Sequence, residues 1–283
     1  MRSLCLCLIA LPLAGCATNS LPDESIVPAE QCTAAAKLIY VIDESGELLA
    51  FEPPGTFTSL GYLDCKDPAP PQSMSIDRHG VLWILKNDHT VWTVDPRKEK
   101  LECEGTGWDP MADDFAVFGM AFSTYENGGD VDTLYISGSN NSVNEGDATL
   151  GSVDVTQDPL APEKIATVPG WPELTGNSMG ELWGFFPTNS EGVAKVGRID
   201  KETGVVDPVF PIGAHAPTGV VTADAEAWAF GFYGGNYYIF LAAGLGTTNV
   251  YEMHADGTLE PGIATQHRIA GAGVSTCAPI VVE

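Results

Sequence analysis

One short pattern recurs along this chain and restricts its architecture more than any other feature. Two apolar residues flank two variable ones and an acidic or polar residue follows: Leu48-Leu49-Ala50-Phe51-Glu52, Val91-Trp92-Thr93-Val94-Asp95, Leu150-Gly151-Ser152-Val153-Asp154, Val196-Gly197-Arg198-Ile199-Asp200 and Val250-Tyr251-Glu252-Met253-His254. The copies stand roughly 45 to 60 residues apart, an interval typical of arrays that repeat one supersecondary unit. A second apolar run, usually carrying an aromatic, precedes each copy: Leu38-Ile39-Tyr40-Val41, Leu82-Trp83-Ile84-Leu85, Leu134-Tyr135-Ile136, Leu182-Trp183-Gly184-Phe185 and Tyr237-Tyr238-Ile239-Phe240.

Upstream lies a third run rich in small residues: Ser73-Met74-Ser75-Ile76, Gly119-Met120-Ala121-Phe122-Ser123, Gly176-Asn177-Ser178-Met179-Gly180 and Ala227-Trp228-Ala229-Phe230-Gly231. Small side chains at matching places suit strands crowded around a common axis, the geometry of a β-propeller's innermost strands. The first unit starts directly on its aromatic run near Lys37, and Gly271-Ala272-Gly273-Val274-Ser275-Thr276-Cys277 at the other end supplies the missing small-residue strand. The expected fold is all-β: a five-bladed propeller whose ring is closed by the C-terminal strand pairing with the N-terminal blade, leaving no free sheet edge. The 31 Gly and 20 Pro then mark turns, and a 44% hydrophobic share is ample for a core.

With 38 Asp plus Glu against 13 Lys plus Arg, the chain carries a formal charge of −25. That excludes a nucleic-acid binder held by phosphate contacts, which needs clustered cations. The acids fall mostly at strand ends and in loops, so the excess reads as a solvated surface that anionic headgroups repel.

The N-terminus, Met1-Arg2-Ser3-Leu4-Cys5-Leu6-Cys7-Leu8-Ile9-Ala10, is one cation followed by an apolar run too short to span a bilayer, as in a secretory signal. It ends in Leu13-Ala14-Gly15-Cys16, which resembles the lipobox of bacterial lipoproteins. The resemblance implies residues 1–15 as signal peptide, Cys16 as the lipidated mature terminus, and a lipid-only anchor, with Ala17 behind it pointing to the outer membrane. Residues 16–32 are polar and aperiodic, a flexible tether, and 33–283 form the propeller.

Four cysteines remain after the signal and Cys16, and an exported chain of this kind is expected to oxidise them. Three pairings are open, and the blade register selects one. Cys277 ends the closing inner strand and Cys32 lies just before the strand that neighbours it, which pairs Cys32 with Cys277. Cys65 and Cys103 end the outer strands of adjacent blades and form the second bond.

Chemistry is harder to place. Gly176-Asn177-Ser178-Met179-Gly180 fits the G-x-S-x-G letters of a nucleophile elbow, but it leads into a strand rather than the helix that motif needs. The histidines, His79, His89, His215, His254 and His267, show no metal-ligand spacing. Acidic positions in the Gly- and Asn-rich third unit, Asp130, Asp132, Glu145 and Asp147, are the candidate calcium ligands. Asp77, Asp224 and Glu226 are the candidate channel carboxylates for an acid–base or metal-dependent site. Trp108 and Trp171, in Gly/Pro-rich loops, and Asn177 are the candidate ligand contacts, whereas Trp83, Trp92, Trp183 and Tyr251 belong to the core.

The runs Ser75-Ile76-Asp77-Arg78-His79-Gly80-Val81-Leu82-Trp83-Ile84 and Val91-Trp92-Thr93-Val94-Asp95-Pro96 resemble blades of the streptogramin-lyase and gluconolactonase/regucalcin propeller families. The likeness centres on the second unit and implies blade construction; the catalytic histidines or Glu/Asn/Asp metal set of those families does not map onto this chain. The expected function is a monomeric binding or interaction module on the cell envelope, its partner an envelope protein or glycan, with a metal-dependent hydrolase or lactonase as the alternative. A cluster of three or more carboxylates or amides at the channel mouth would overturn the binding reading, and a channel lined by Ser, Ala, Met and Gly would support it.

Overall fold

The computed structural model describes residues 32–140, 146–187, 194–212 and 225–281. Their order is β1 Ile39–Asp43, β2 Glu47–Glu52, β3 Thr56–Asp64, β4 Pro71–Ile76, β5 Leu82–Lys86, β6 Val91–Val94, β7 Leu101–Gly105, β8 Val117–Thr124, β9 Asp132–Ser139 and β10 Ala148–Val153. β11 Pro162–Val168, β12 Glu173–Gly176, β13 Leu182–Phe186, β14 Lys195–Ile199, β15 Val206–Pro211, β16 Ala225–Tyr233, β17 Asn236–Ala243, β18 Asn249–Met253, β19 Ile263–Ala264 and β20 Ile269–Val274 follow. Among the described residues no helix is long and apolar enough to cross a membrane.

The strands form four-stranded antiparallel blades of a β-propeller. β8 to β11, β12 to β15 and β16 to β19 are each a meander, as is β4 to β7. The remaining sheet is β20-β1-β2-β3, in which Tyr40 lies opposite Gly273 and Val41 opposite Ala272. Its outer strand β3 also pairs in parallel with the outer strand β7, Leu63 opposite Leu101 and Asp64 opposite Glu102.

The repeated motifs are β2, β6, β10, β14 and β18, and the aromatic runs lie in β1, β5, β9, β13 and β17. The aromatic-run strands are buried on both faces along nearly all their length, because neighbouring blades pack against each side: Tyr238 and Phe240 of β17 meet Phe51 of β2, and Trp183 of β13 meets Tyr237 at 4.9 Å. The innermost strands are small-residue strands for a steric reason. A Cβ added to Gly119 of β8 would lie 2.4 Å from Pro172 O, and one added to Gly176 of β12 would lie 2.2 Å from Phe122 O. The inner strands also exchange side-chain hydrogen bonds, Ser75 of β4 accepting from Phe122 N at 3.1 Å and Thr175 of β12 from Phe232 N at 2.9 Å.

One inner strand departs from the expected register. β12 is Glu173–Gly176, and Asn177-Ser178-Met179-Gly180 is the turn behind it. Asn177 Oδ1 accepts from Met179 N at 3.0 Å and Glu181 N at 3.1 Å. Asp77 does the same after β4, accepting from His79 N at 2.9 Å and Val81 N at 3.0 Å. Both are side-chain caps of a strand-to-strand turn, the use to which Asp and Asn are best suited.

Both cystines are present. Cys32–Cys277 joins residues 245 apart in sequence, and Cys65–Cys103 ties the residue after β3 to the middle of β7, rather than to its end, across a separation of 38.

Candidate functional site

The inner strands begin around a cavity of ≈740 Å³. Pro71 and Gln72 of β4, Val117 and Gly119 of β8, Pro172 and Glu173 at β12, Glu226 and Trp228 of β16, and Ala270 of β20 all line it. Its rim is completed by Glu44, Asn87 and His89, from turns between the middle strands of their blades. A cavity of that size, walled by Trp, Phe and Pro together with carboxylates, amides and a histidine, matches the usual dimensions of a small-molecule site.

Glu173 is the most buried ionisable group in it, 5% exposed. Its Oε1 accepts from Ser73 Oγ of β4 at 2.6 Å. Gly119 lies between, and a Cβ there would stand 3.2 Å from Oε2, so the missing side chain leaves room for the carboxyl to cross from one inner strand toward another. Burial pushes this carboxyl up to about 8, against weaker opposing hydrogen bonds from Ser73 and the Met120 backbone. At neutral pH it therefore holds a proton most of the time.

Two residues of the lining each carry a polar atom that is sealed from the cavity and has no hydrogen-bond partner among the described residues. Trp171 Nε1 and Ser137 Oγ are both buried, with Trp171 7% and Ser137 1% exposed. A buried donor without a partner costs about 1–3 kcal/mol. His89, held at φ 66°, donates from Nδ1 to Ala116 O at 2.6 Å, because a carbonyl can only accept. In the neutral ring this leaves Nε2 as an acceptor.

The residues expected to carry function separate across the molecule. Glu226 lines the cavity mouth and is exposed. Asp77 sits beyond the other end of β4, about 20 Å along an inner strand, so it cannot act with Glu226 and its role is the turn cap described above. Asp224, Glu145 and Cys16 lie outside the described residues. Asn177 caps its turn rather than facing a ligand, and Ser178 stands in that same turn with a strand behind it. Trp108 is not an exposed ligand contact: it is buried, packs on Phe118 at 5.7 Å, and donates from Nε1 to Asp113 at 3.0 Å. Trp171 is likewise buried rather than exposed, but it does line the cavity.

The candidate calcium ligands do not converge. Asp132 is engaged by Arg78, whose Nη2 lies 2.6 Å from Oδ1, and it also accepts from Thr276 Oγ1 at 2.7 Å. Asp130 offers Arg78 its backbone carbonyl. Asp147 adjoins the start of β10, which pairs with the far end of β9, roughly 20 Å from Asp132 along the strand.

A different group of donors does come together, from positions that sequence spacing kept apart. Asp43, Glu47 and His267 place one donor atom each within 4.8 Å of one another. His267 Nδ1 stands 3.4 Å from Asp43 Oδ2 and 3.7 Å from Glu47 Oε2. Asp43 Oδ1 caps its own turn through Ser45 N and Glu47 N, so a structural network accounts for much of this cluster. It is the one set of three His, Cys, Asp or Glu donors that gathers so closely among the described residues, and none of its members lines the cavity.

No family model matches the chain, and no curated protein matches it. Solved structures similar to it include TolB from Acinetobacter baumannii, at 10% identity and TM-score 0.48, covering 83% of this chain and 65% of TolB. The fucose-specific lectin from Aleuria aurantia matches at 12% identity and TM-score 0.42, covering 83% of this chain and 79% of the lectin. A virginiamycin B lyase from Staphylococcus aureus, a catalytically inactive variant with quinupristin, matches at 13% identity and TM-score 0.38, covering 83% and 73%. Likeness at this level assigns neither a ligand nor an activity.

Proposed function

We propose that this chain is an exported lipoprotein, anchored by lipid on Cys16 to the bacterial envelope, whose five-bladed propeller is a monomeric binding module with its ligand site in the cavity at the starts of the inner strands. The pairing of β20 with β1 supports a closed ring of five blades, as does the way Gly271 of β20 approaches Met74 of β4 while Gly231 of β16 approaches Val274 of β20. The partner is an envelope protein or glycan, offered through the cavity mouth; the acidic surface leaves the lipid as the only attraction to the membrane.

The observation that carries the binding reading is the cavity itself, ≈740 Å³ at the starts of the inner strands, with Trp228, Gln72, Asn87 and Glu226 in its lining. A thermal-shift screen of the mature domain against soluble envelope glycans and small polar molecules tests this. Hits that disappear in Trp228→Ala are expected; hits insensitive to it, or none, count against the cavity as a site. For the anchor, labelled palmitate should enter the wild-type chain and not Cys16→Ala.

A hydrolase at the channel mouth is the second reading, and one observation favours it: a carboxyl held protonated near neutral pH in a cavity is what a general acid requires. Carboxylates and amides do line the mouth, at Glu44, Gln72, Asn87, Glu173 and Glu226. They do not gather as a metal set, and Glu44 is paired with Arg268 at 2.8 Å. A binding site therefore fits this lining better than a metal-dependent active site.

A further inference from the structure

Cys32–Cys277 fastens one end of the β1–β20 pair, and at its other end Asp43, Glu47 and His267 bring one donor atom each within 4.8 Å of one another. Asp43 ends β1, Glu47 begins β2, and His267 stands two residues before β20. A register shift opposite Ile42 and Asp43 sets how that last segment approaches β1. Each carboxylate spends one oxygen locally. Asp43 Oδ1 accepts from Ser45 N, Ser45 Oγ and Glu47 N, and Glu47 Oε1 accepts from Ser59 Oγ. Their second oxygens, Asp43 Oδ2 and Glu47 Oε2, both face His267 Nδ1.

The imidazole is held from behind. His267 N donates to Thr265 Oγ1 at 3.1 Å, its carbonyl accepts from Thr248 N at 2.8 Å and Thr265 Oγ1 at 2.9 Å, and its ring lies 5.8 Å from that of Phe57 on β3. The three donors therefore keep their spacing, and that spacing is informative. A charge-assisted hydrogen bond from imidazolium to carboxylate closes to about 2.7–2.9 Å. His267 Nδ1 stands 3.4 Å from Asp43 Oδ2 and 3.7 Å from Glu47 Oε2. Metal–ligand bonds of about 2.0–2.2 Å put neighbouring ligands of a tetrahedral shell about 3.3–3.6 Å apart, which is close to these distances. Charge points the same way. Among the described residues neither carboxylate pairs with a Lys or Arg, and Arg268, next in the chain to His267, turns to Glu44 instead.

We propose that Asp43 Oδ2, Glu47 Oε2 and His267 Nδ1 bind one divalent transition-metal ion of the zinc class, with water in the fourth position. One imidazole nitrogen and two carboxylate oxygens suit such an ion, whereas calcium takes six to eight oxygens and has little use for the imidazole. The ion takes the Nδ1 lone pair, so the proton of the neutral ring is carried on Nε2. Bound there, it ties the β1–β2 turn to the segment leading into β20, at the opposite end of that strand pair from the Cys32–Cys277 bond. The same turn carries Glu44 to the cavity rim, but no ligand atom lies in the cavity, so the site stands whether or not the cavity binds anything.

Zinc is the probe. Purified protein, stripped of metal by a chelator and kept free of reductant so that the cystines stay closed, is titrated with zinc chloride while the histidine ring nitrogens are followed by 15N-correlated NMR. The Nδ1 signal of His267 should shift on addition of one equivalent, and calcium chloride should leave it in place. Glu47→Gln, which keeps the acceptor for Ser59, and His267→Gln should each weaken zinc binding about tenfold or more. Zinc in excess should also raise the Tm of the wild type by several degrees and leave both variants unchanged. The histidine spectrum needs only the wild-type chain, so it decides the question even where a variant fails to fold. Zinc that shifts no His267 nitrogen, an affinity within about twofold of wild type in both variants, or an equal response to calcium would overturn the site and leave Asp43, Glu47 and His267 as a hydrogen-bonded turn.

Discussion

Glu173 on β12 accepts a 2.6 Å hydrogen bond from Ser73 on β4, a hundred residues earlier, past the glycine of the strand beside it. The contact couples two blades and places a titratable group where no water-facing surface dilutes its cost. Stability should therefore depend on pH through this residue. Its carboxyl is pushed up to about 8 in the folded protein, against an ordinary value of 4.5. Below pH 4.5 both states hold the proton and nothing is lost. Between pH 4.5 and 8 the unfolded chain gives its proton up while the folded one keeps it, so stability falls by roughly 1.4 kcal/mol per pH unit and levels off above pH 8. Glu173→Gln removes this component. Melting curves of the two proteins should coincide near pH 4.5, and the Gln variant should be the more stable by several degrees at pH 9; equal melting at pH 9 would show that the carboxyl is not desolvated.

The glycine that admits this contact should be intolerant of a methyl group. Gly119→Ala puts a Cβ 2.4 Å from Pro172 O and 2.8 Å from the Glu173 Cα, both backbone atoms that cannot rotate away. Inner strands must separate, at a cost of about 1–3 kcal/mol or more. Gly128→Ala is the control: its φ of +74° is strained for alanine but nothing stands within 4 Å, so about 1 kcal/mol is expected. Urea unfolding of the two variants reads the difference, and equal losses would mean the strands are not packed this closely.

The two cystines should differ in weight according to the chain each one encloses. In the chain-entropy account Cys32–Cys277, with 245 residues between its ends, contributes on the order of 5 kcal/mol, and Cys65–Cys103, with 38, on the order of 4. The paired Ser variants, unfolded in urea under non-reducing conditions, should both lose stability, the Cys32/Cys277 pair losing more. The reverse order would place the main constraint at the β3–β7 seam.

Strand positions were legible in the sequence because apolar spacing and turn residues are local properties. Asp95, Asp154 and Asp200 end their motifs for a local reason too: side-chain hydrogen bonds from Arg97, Thr156 and Thr203, and backbone N–H groups behind them, hold these carboxyls below the usual range. The same chemistry misled at Asn177, where small residues of a cap looked like an inner strand. The cavity was not legible. Its lining joins the first residues of strands scattered from Pro71 to Ala270, and Glu173 looks like any other acid until Gly119 and Ser73 are placed beside it. Trp108 and Trp171 stand in Gly/Pro-rich loops, yet a loop folded over a blade buries its aromatic as completely as a strand does.

At the other ends of the inner strands, Arg78 and Asp132 should prove to be a structural pair rather than part of a cation site. The Arg78 side chain is 9% exposed and that of Asp132 is 6% exposed, with Nη2 and Oδ1 2.6 Å apart. The guanidinium also reaches the carbonyls of Gly129 and Asp130, and its own backbone N–H donates to Asp132 Oδ2 at 3.2 Å. This network links the turn after β4, the approach to β9 and Thr276 beside the Cys32–Cys277 bond. Removing one member of a buried pair leaves the other charged and poorly solvated, which typically costs about 3–5 kcal/mol. Asp132→Asn, which keeps the size and one acceptor oxygen, should therefore destabilise the domain by a few kcal/mol, whereas Asp130→Asn, whose side chain is not used, should leave it within about 0.5 kcal/mol. Denaturant midpoints of the two variants, measured with and without millimolar calcium, separate the alternatives: an Asp130 variant as damaging as Asp132→Asn, together with a calcium-dependent midpoint in the wild type, would return this corner to cation binding.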